Sequence, residues 1–510
     1  MAKPRYFLQC SGSAFWPALC DRLTKNFDLS FMLIDDRLES QFAPTLCAEV
    51  LHGNDLKFGL FDRLKCRPFP NELKDDARYR RREKEAMYSF ERSTVGGEVD
   101  VPDRLHIISS MTDFFWHYFS RFEPSFGIAT EAPHTFPDLL LHGIAESCSI
   151  PILHFQQNAI APTVRPVLGP QYEKLDLADL LEPNIDSNRR HRISGYRQNF
   201  ENFIQRASEP SLTQHEVDFH DRERKTFSGI RSPWRRFYIP YSWLLAEWNQ
   251  LESYALRTKV QKEHCPTPTH SLERIQHRVQ LGPRAVVAAR RQAKMIKGLQ
   301  RSLALNASSK LPQRCATFFL QFEPEKTSIP DGGLYGDQLA AVRAVAEGLD
   351  GRLPLVVCEH PSQLTLLSRG FRVRRPRFYD ELANIPNVLI APLGYPRADL
   401  MRRTSIAITL QGSIGLEAIA RGVPAIALGH PWYSPLSGIF GPTEAKHLSR
   451  VIEEALSFNV DVGALSELLW RRVEQDQIVA LLNPSSSREF PNVDSDVETI
   501  AALTDSLFLG

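Results

Sequence analysis

The sequence predicts two doubly wound α/β units with a basic helical insert between them. Three observations carry this expectation. Short apolar runs bounded by turn residues alternate with helical patterns in both end portions of the chain, as parallel βαβ units require. The middle portion lacks such runs and is rich in Arg, Gln, His and Ser. The 510 residues, at roughly 150 per domain, suit two or three domains. The expected boundaries are 1–180 for the first unit, 181–310 for the insert, 311–480 for the second unit and 481–510 for a tail helix.

In the first unit, Tyr6–Gln9 and Leu29–Ile34 read as strands, with a Ser11-Gly12-Ser13 turn between them. Residues 54–103 are polar and charged, and read as surface helices and loops. Leu105–Ser109, Phe126–Thr130 and Ile150–Phe155 read as further strands. Asp138–Cys148 reads as a helix, because Leu140, Leu141, Ile144, Ala145 and Cys148 recur at three- and four-residue spacing. In the middle, the Trp243–Leu256 segment and the stretches near 271–280 and 284–305 fit helices. In the second unit, Cys315–Gln321, Leu355–Cys358, Val388–Ala391, Ile406–Leu410 and Ala425–Leu428 are strands. Asp337–Leu349, Phe378–Ala383, Ala398–Arg403, Ile414–Arg421, Thr443–Phe458 and Val493–Leu509 are helices.

Hydrophobic residues make up 43% and charged residues 24%, so disorder is excluded as the main theme. The net charge of +1 conceals an asymmetry: residues 187–310 hold 23 Lys/Arg against 10 Asp/Glu. None of the eight cysteines forms a C-x-x-C pair, so no structural metal site is expected. The thiols suit a reduced cytoplasmic protein. The first apolar stretch is too short for a secretory segment, and no run approaches the length of a spanning helix.

Ligands of doubly wound sheets bind beyond the carboxyl ends of the strands, so chemistry is sought there. Gln411-Gly412-Ser413-Ile414-Gly415-Leu416-Glu417 joins a strand to a helix. Its small residues let backbone amides approach an anion. Ser413 adds a hydroxyl, and Glu417 suits a ribose or sugar hydroxyl. An ordinary helix start with a first-turn Glu is the plainer account. His360-Pro361 follows another strand, with His360 a phosphate donor in the functional account and a surface turn residue in the plain one. Glu323 and Glu325 flank Pro324, and paired carboxylates suit nucleophile or acid/base work. Glu131 and His134 follow Phe126–Ala129 as a candidate acid/base pair, with a solvated loop the alternative. Asp138 and Pro137 read as a helix start. No phosphate-binding G-x-x-x-x-G-K-[ST], no G-x-G-x-x-G and no G-x-S-x-G is present.

Residues 316–440 carry F-F-L-Q-F-E-P-E-K, then V-V-C-E-H-P, then Q-G-S-I-G-L-E-A-I-A-R-G-V-P-A-I-A-L-G-H-P-W-Y. In order and spacing these resemble the bacterial capsule polysaccharide biosynthesis proteins, the Kps-type glycosyltransferases of two-domain GT-B fold. E-A-P-H-x-x-x-D in the first unit is similar to that family's first-domain motif. The resemblance implies transfer of a sugar from a nucleotide-activated donor to a glycan or glycolipid acceptor, without a metal or other cofactor. Characterised relatives transfer Kdo from CMP-Kdo with retention. It implies donor binding by His360, Pro361, Gly412, Ser413, Gly415 and Glu417, and chemistry at Glu325. From their strand-end positions, Glu323 and Gln411 join the donor-side candidates, and Glu131 or His134 is the candidate acid/base toward the acceptor hydroxyl. The chain departs from the pattern at three positions. Gln321 stands in place of His, Glu323 in place of Gln, and Cys358 in place of a Lys that would neutralise phosphate.

Two other classes stay open: a nucleotide-sugar epimerase or polyol-phosphate transferase, and a non-catalytic scaffold of polysaccharide assembly. No nucleic-acid motif accompanies the basic middle. A solvated linker face is one reading of it. The other is contact of residues 231–256, with Trp234-Arg235-Arg236-Phe237-Tyr238, Trp243 and Trp248, with anionic lipid at the inner face of the cytoplasmic membrane.

Overall fold

The computed structural model describes residues 2–10, 15–34, 49–53, 56, 61–62, 65–93, 101–158, 160–169, 173–208, 283–364, 370–442, 447–480 and 493–509. Two sheets organise them. The first contains β1 (Arg5–Cys10), β2 (Asp28–Ile34), β3 (Glu49–His52), β4 (Phe126–Ala129), β5 (Ile152–Gln157), β6 (Thr163–Gly169) and β7 (Glu173–Lys174). The second contains β8 (Cys315–Phe319), β9 (Leu355–Cys358), β10 (Val388–Ile390), β11 (Thr404–Thr409), β12 (Ala425–Ala427) and β13 (Ile439–Phe440). A last strand, β14 (Ile478–Val479), returns to the first sheet, pairing antiparallel with β6.

The second sheet is parallel throughout and runs β10-β9-β8-β11-β12-β13. The first runs β3-β2-β1-β4-β5 in parallel, then β6 and β14 in antiparallel. Each order reverses direction once near its middle, between β1 and β4 and between β8 and β11. These are two Rossmann-like units, the pairing that defines the expected GT-B architecture. The central strands are buried from end to end, Cys315–Phe319 and Phe126–Ala129 among them, as sheets covered on both faces require. β1 and β4 approach closely because Gly127 leaves room for the Phe7 ring. A Cβ there would lie 2.2 Å from Phe7 Cζ.

Four apolar clusters fill the layers above and below the sheets. The described ends of the basic middle belong to these layers. Phe200, Ile204 and Ala207 of the helix Arg197–Ser208 pack with Leu469 and Trp470, and Ile296, Leu299 and Leu303 of the helix Pro283–Asn306 pack under the second sheet. The helices expected at 243–256 and 271–280, and the aromatic-basic segment 231–256, lie outside the described residues.

One expected strand is corrected. Leu105–Ser109 lies inside the helix Val101–Phe122. Its short apolar run mimics a strand, but Ile107, Ile108, Met111, Phe114, Phe115, Tyr118 and Phe119 are buried at helical spacing over the longer window. The charged stretch 77–93 is a helix, as expected, yet Tyr79, Ala86 and Phe90 are buried on one side of it. The tail helix Val493–Leu509 forms as expected and packs against the helix Phe15–Leu23 of the first unit. Phe508 stacks on Phe126 with centroids 3.9 Å apart, and Arg22 makes a two-point ion pair with Glu498 at 2.7 and 2.8 Å.

Candidate functional site

Both reversal points place polar residues at strand ends. At the first, Thr130 follows β4 and donates its N–H and hydroxyl to Gln9 O at 2.9 and 3.3 Å, joining it to the end of β1. At the second, Gln321 Nε2 donates to Thr409 Oγ1 at 2.8 Å and so ties β8 to β11. Gln338, at the start of the next helix, holds the Gln321 backbone from both sides, accepting its N–H at 2.6 Å and donating to its carbonyl at 3.0 Å.

The Glu323-Pro324-Glu325 segment sends its two carboxylates to different environments. Glu323 is buried and pairs with the guanidinium of Arg374, so its carboxylate turns into the protein rather than towards a donor. Burial raises the Glu323 carboxyl above its usual range despite that cation. Glu325 is only half-buried, and its carbonyl accepts from Ser328 N–H and Oγ at 3.0 and 2.8 Å.

Arg374 is 1% exposed in its side chain and also grips Glu359 with both arms, Nε to Oε2 at 3.0 Å and Nη2 to Oε1 at 2.9 Å. Tyr379 donates to Glu359 Oε2 at 2.7 Å, and the Phe378 ring lies 4.4 Å from the guanidinium carbon. Burial alone would lower the Arg374 pKa; the charges of Glu359 and Glu323 raise it instead. Glu359 Oε1 also accepts the N–H of His360 at 2.7 Å. Gln363 N–H closes a turn on His360 O at 3.0 Å, with Pro361 in its second position. His360 Nδ1 accepts from Ser362 N–H at 3.2 Å, which in the neutral ring assigns the proton to Nε2.

Glu131 and His134, from the first unit, meet this segment. Lys326 Nζ pairs with Glu131 Oε2, and His134 Nδ1 lies 3.8 Å from Glu131 Oε1. Asp138 caps its helix, accepting from Thr135 N–H and Oγ1, both at 2.8 Å. A second contact between the units runs from Gln156 Nε2 to His430 O at 2.9 Å. Behind this loop lie the buried Arg82–Glu146 ion pair at 2.6 Å and His142, whose Nε2 lies 2.9 Å from Gln9 Oε1.

The Gln411–Glu417 segment is more internally engaged than the sequence implies. The helix Ile414–Ile419 has six residues. Gly412 N–H goes to Thr409 Oγ1 at 3.2 Å and Gly415 N–H to Gly412 O at 3.2 Å. Gln411 Nε2 donates to Asp331 O at 2.9 Å. Glu417 is buried, 3.6 Å from Arg397 Nη1, and accepts from Ser413 Oγ at 3.3 Å. Ser413 itself is exposed. Gly415 is required by packing, since a Cβ would fall 2.6 Å from the Tyr433 hydroxyl oxygen.

The structure therefore brings Glu325, Glu131 and His134 into one neighbourhood through Lys326, and ties Glu323 to the His360 turn through Arg374. Sequence reasoning missed Lys326, Arg374, Gln363 and Tyr88. Tyr88, from the helix Ala77–Ser93 of the first unit, lies near Glu323, and burial raises its pKa. One signal for Arg374 existed. Two carboxylates at buried strand ends demand a cation, and the run Arg372-Val373-Arg374-Arg375 is nearby. Among the described residues, no group of three or more His, Cys, Asp or Glu side chains is placed to hold a metal ion.

Strand order and site together define a two-unit Rossmann-like protein whose polar strand-end segments meet at the Lys326–Glu131 pair. Residues 247–455 match the model of the family described as capsule polysaccharide biosynthesis protein. The resemblance carried by residues 316–440 is borne out by this match. No curated protein sequence matches the chain. Among solved structures, it is similar to the UDP-GlcNAc 2-epimerase from Methanocaldococcus jannaschii at 12% identity, covering 92% of this chain and 98% of that one, with a TM-score of 0.25. It is similar to Thermosulfurimonas dismutans KpsC, a beta Kdo 2,4 transferase, at 14% identity over 34% of this chain and 56% of that one, with a TM-score of 0.21. Sucrose-phosphate synthase from Thermosynechococcus elongatus overlaps at 10% identity over all of both chains, with a TM-score of 0.25. Overlaps this loose decide nothing about activity.

Proposed function

We propose that this chain is a glycosyltransferase of surface polysaccharide synthesis. In this reading it moves a sugar from a nucleotide-activated donor to a glycan or glycolipid acceptor, without a metal. One observation carries the reading furthest: the Lys326–Glu131 ion pair joins the two reversal points, one from each unit. A transferase needs such a meeting of two half-sites, one for each substrate. The match to the capsule family over residues 247–455 supports the same assignment.

The nucleotide lies against the His360–Pro361 turn and the Gln411, Gly412, Ser413, Gly415 and Glu417 segment. His360 donates from Nε2 to phosphate. Lys326 supplies the cation that Cys358 does not, and the departing nucleoside phosphate is stabilised by fixed charges and dipoles. Glu325 acts as nucleophile or stabilises the developing sugar cation. Glu131 or His134 takes the proton of the acceptor hydroxyl. Glu323 contributes from behind, through Arg374. Kdo delivered from CMP-Kdo is the first donor to try, because the family it resembles includes Kdo transferases.

The test is incubation with a panel of CMP-, UDP- and GDP-sugars, CMP-Kdo included, followed by mass analysis of donor and acceptor. Transfer or donor hydrolysis by the wild type is expected, and its loss in a folded Glu325→Ala protein. Full activity of Glu325→Ala removes that residue from the chemistry. Conversion of a donor to its epimer without transfer replaces the glycosyltransferase reading with an epimerase.

A further inference from the structure

We propose that Arg374 is the positioning residue of the donor site, the group that sets the His360–Pro361 turn against the Glu323–Glu325 segment. The inference rests on the donor reading above and goes beyond it, because Arg374 lies in no strand-end segment and reaches the site only through other residues.

The geometry is specific. The guanidinium is buried and holds the carboxylate after β8 and the carboxylate after β9 at once. These strands are neighbours in the sheet, so the two turns beyond them are held side by side from below. Glu359 passes the constraint on through its Oε1, which accepts the His360 N–H at 2.7 Å. On the other side, Gln363 joins the same two turns, accepting Glu323 N–H at 2.8 Å and donating to Glu323 O at 3.0 Å. Tyr379 fixes the far carboxylate oxygen of Glu359 at 2.7 Å.

Arginine suits this role where lysine does not. Its planar fork satisfies three carboxylate oxygens in fixed directions, whereas an ammonium is a point charge on a flexible stem. Full removal of one partner from a buried ion set is strongly destabilising. The informative variant is therefore Arg374→Lys, which keeps the charge and loses the fork. Tyr379→Phe is a milder second variant, removing one hydrogen bond from Glu359. Arg472→Lys serves as control, because Arg472 pairs with Asp476 at 2.6 Å on the helix Val462–Asp476, away from the two turns.

Two readouts are taken on the full chain. The first is amide hydrogen exchange of ligand-free protein. Arg374→Lys is expected to raise exchange in 320–326 and 359–364 and to leave the second sheet's strands as in wild type. The second is calorimetric titration with CMP, UDP and GDP. The nucleotide that wild type binds is expected to bind about tenfold more weakly to Arg374→Lys, the scale of losing a group that orients binding residues. Tyr379→Phe moves both readouts in the same direction by less, and Arg472→Lys leaves affinity unchanged at a comparable loss of melting temperature. If wild type binds no nucleotide, the donor reading fails, and the exchange pattern alone decides the role of Arg374. Wild-type affinity in Arg374→Lys, or exchange raised evenly across the second unit, overturns the proposal. If Arg374→Lys does not fold, Tyr379→Phe decides by the same two criteria.

Discussion

At the scale of single residues, environment separates side chains that the sequence presents alike. Glu323 and Glu325 are two positions apart, yet one is sealed against Arg374 and the other is half-buried, next in the chain to the Lys326 that pairs with Glu131. Sequence reasoning found both carboxylates but not their division of labour, because the dividing cation is 51 residues away in the chain. Buried histidines give a testable consequence of the same kind. Burial, with Arg82 nearby, pushes His154 down to about 3, and burial holds His142 well below its ordinary value. The unfolded chain protonates such a ring near pH 6.5, while folded His154 resists until about 3. The stability contributed by its neutral form is complete above pH 6.5 and is lost as pH falls from there towards 3. At pH 5 the loss from His154 alone is about 2 kcal/mol. Urea unfolding at pH 7.5 and 5 is expected to show a decline smaller by that amount in His154→Asn than in wild type. An equal decline in both proteins contradicts the assignment.

At the scale of elements, most strands and helices were legible because each carries a clear period. Leu355–Cys358 and Phe378–Ala383 have the bounds that their apolar runs suggest. The failures have a physical pattern. Leu105–Ser109 misled because five residues are too few to tell a strand from a buried helix face. β6 carries Pro166 inside it and so disguises a strand. β14 is two residues long and owes its existence to pairing with β6. The tail helix was legible, but its destination was not: periodicity shows that a face is buried, not against what. That destination yields a prediction. Leu503 is fully buried where the tail helix meets the first unit. Leu503→Ala is expected to cost about 3 kcal/mol of stability. Hydrogen exchange should then rise in Phe15–Leu23 while the second sheet keeps its protection. Exchange that rises first in the second sheet contradicts this placement.

At the scale of the molecule, the +1 net charge proves to be a sum over unlike parts. Part of the basic middle is structural, since the helices Arg197–Ser208 and Pro283–Asn306 cover the second unit. The candidate lipid-facing segment 231–256 lies outside the described residues. Among the described residues, no helix is long and apolar enough to cross a membrane. The two reversal points could be located from sequence only as strand ends; that they meet through Lys326 and Glu131 depends on how the units pack. The central claim is that the second unit's reversal point binds a nucleotide. Calorimetric titration of CMP, UDP and GDP into wild type and His360→Ala tests it most directly. Saturable binding of one nucleotide by wild type, weakened roughly tenfold or more when the charge-assisted hydrogen bond from His360 is removed, is the predicted result. Binding of none of the three, or binding that His360→Ala leaves untouched, contradicts it.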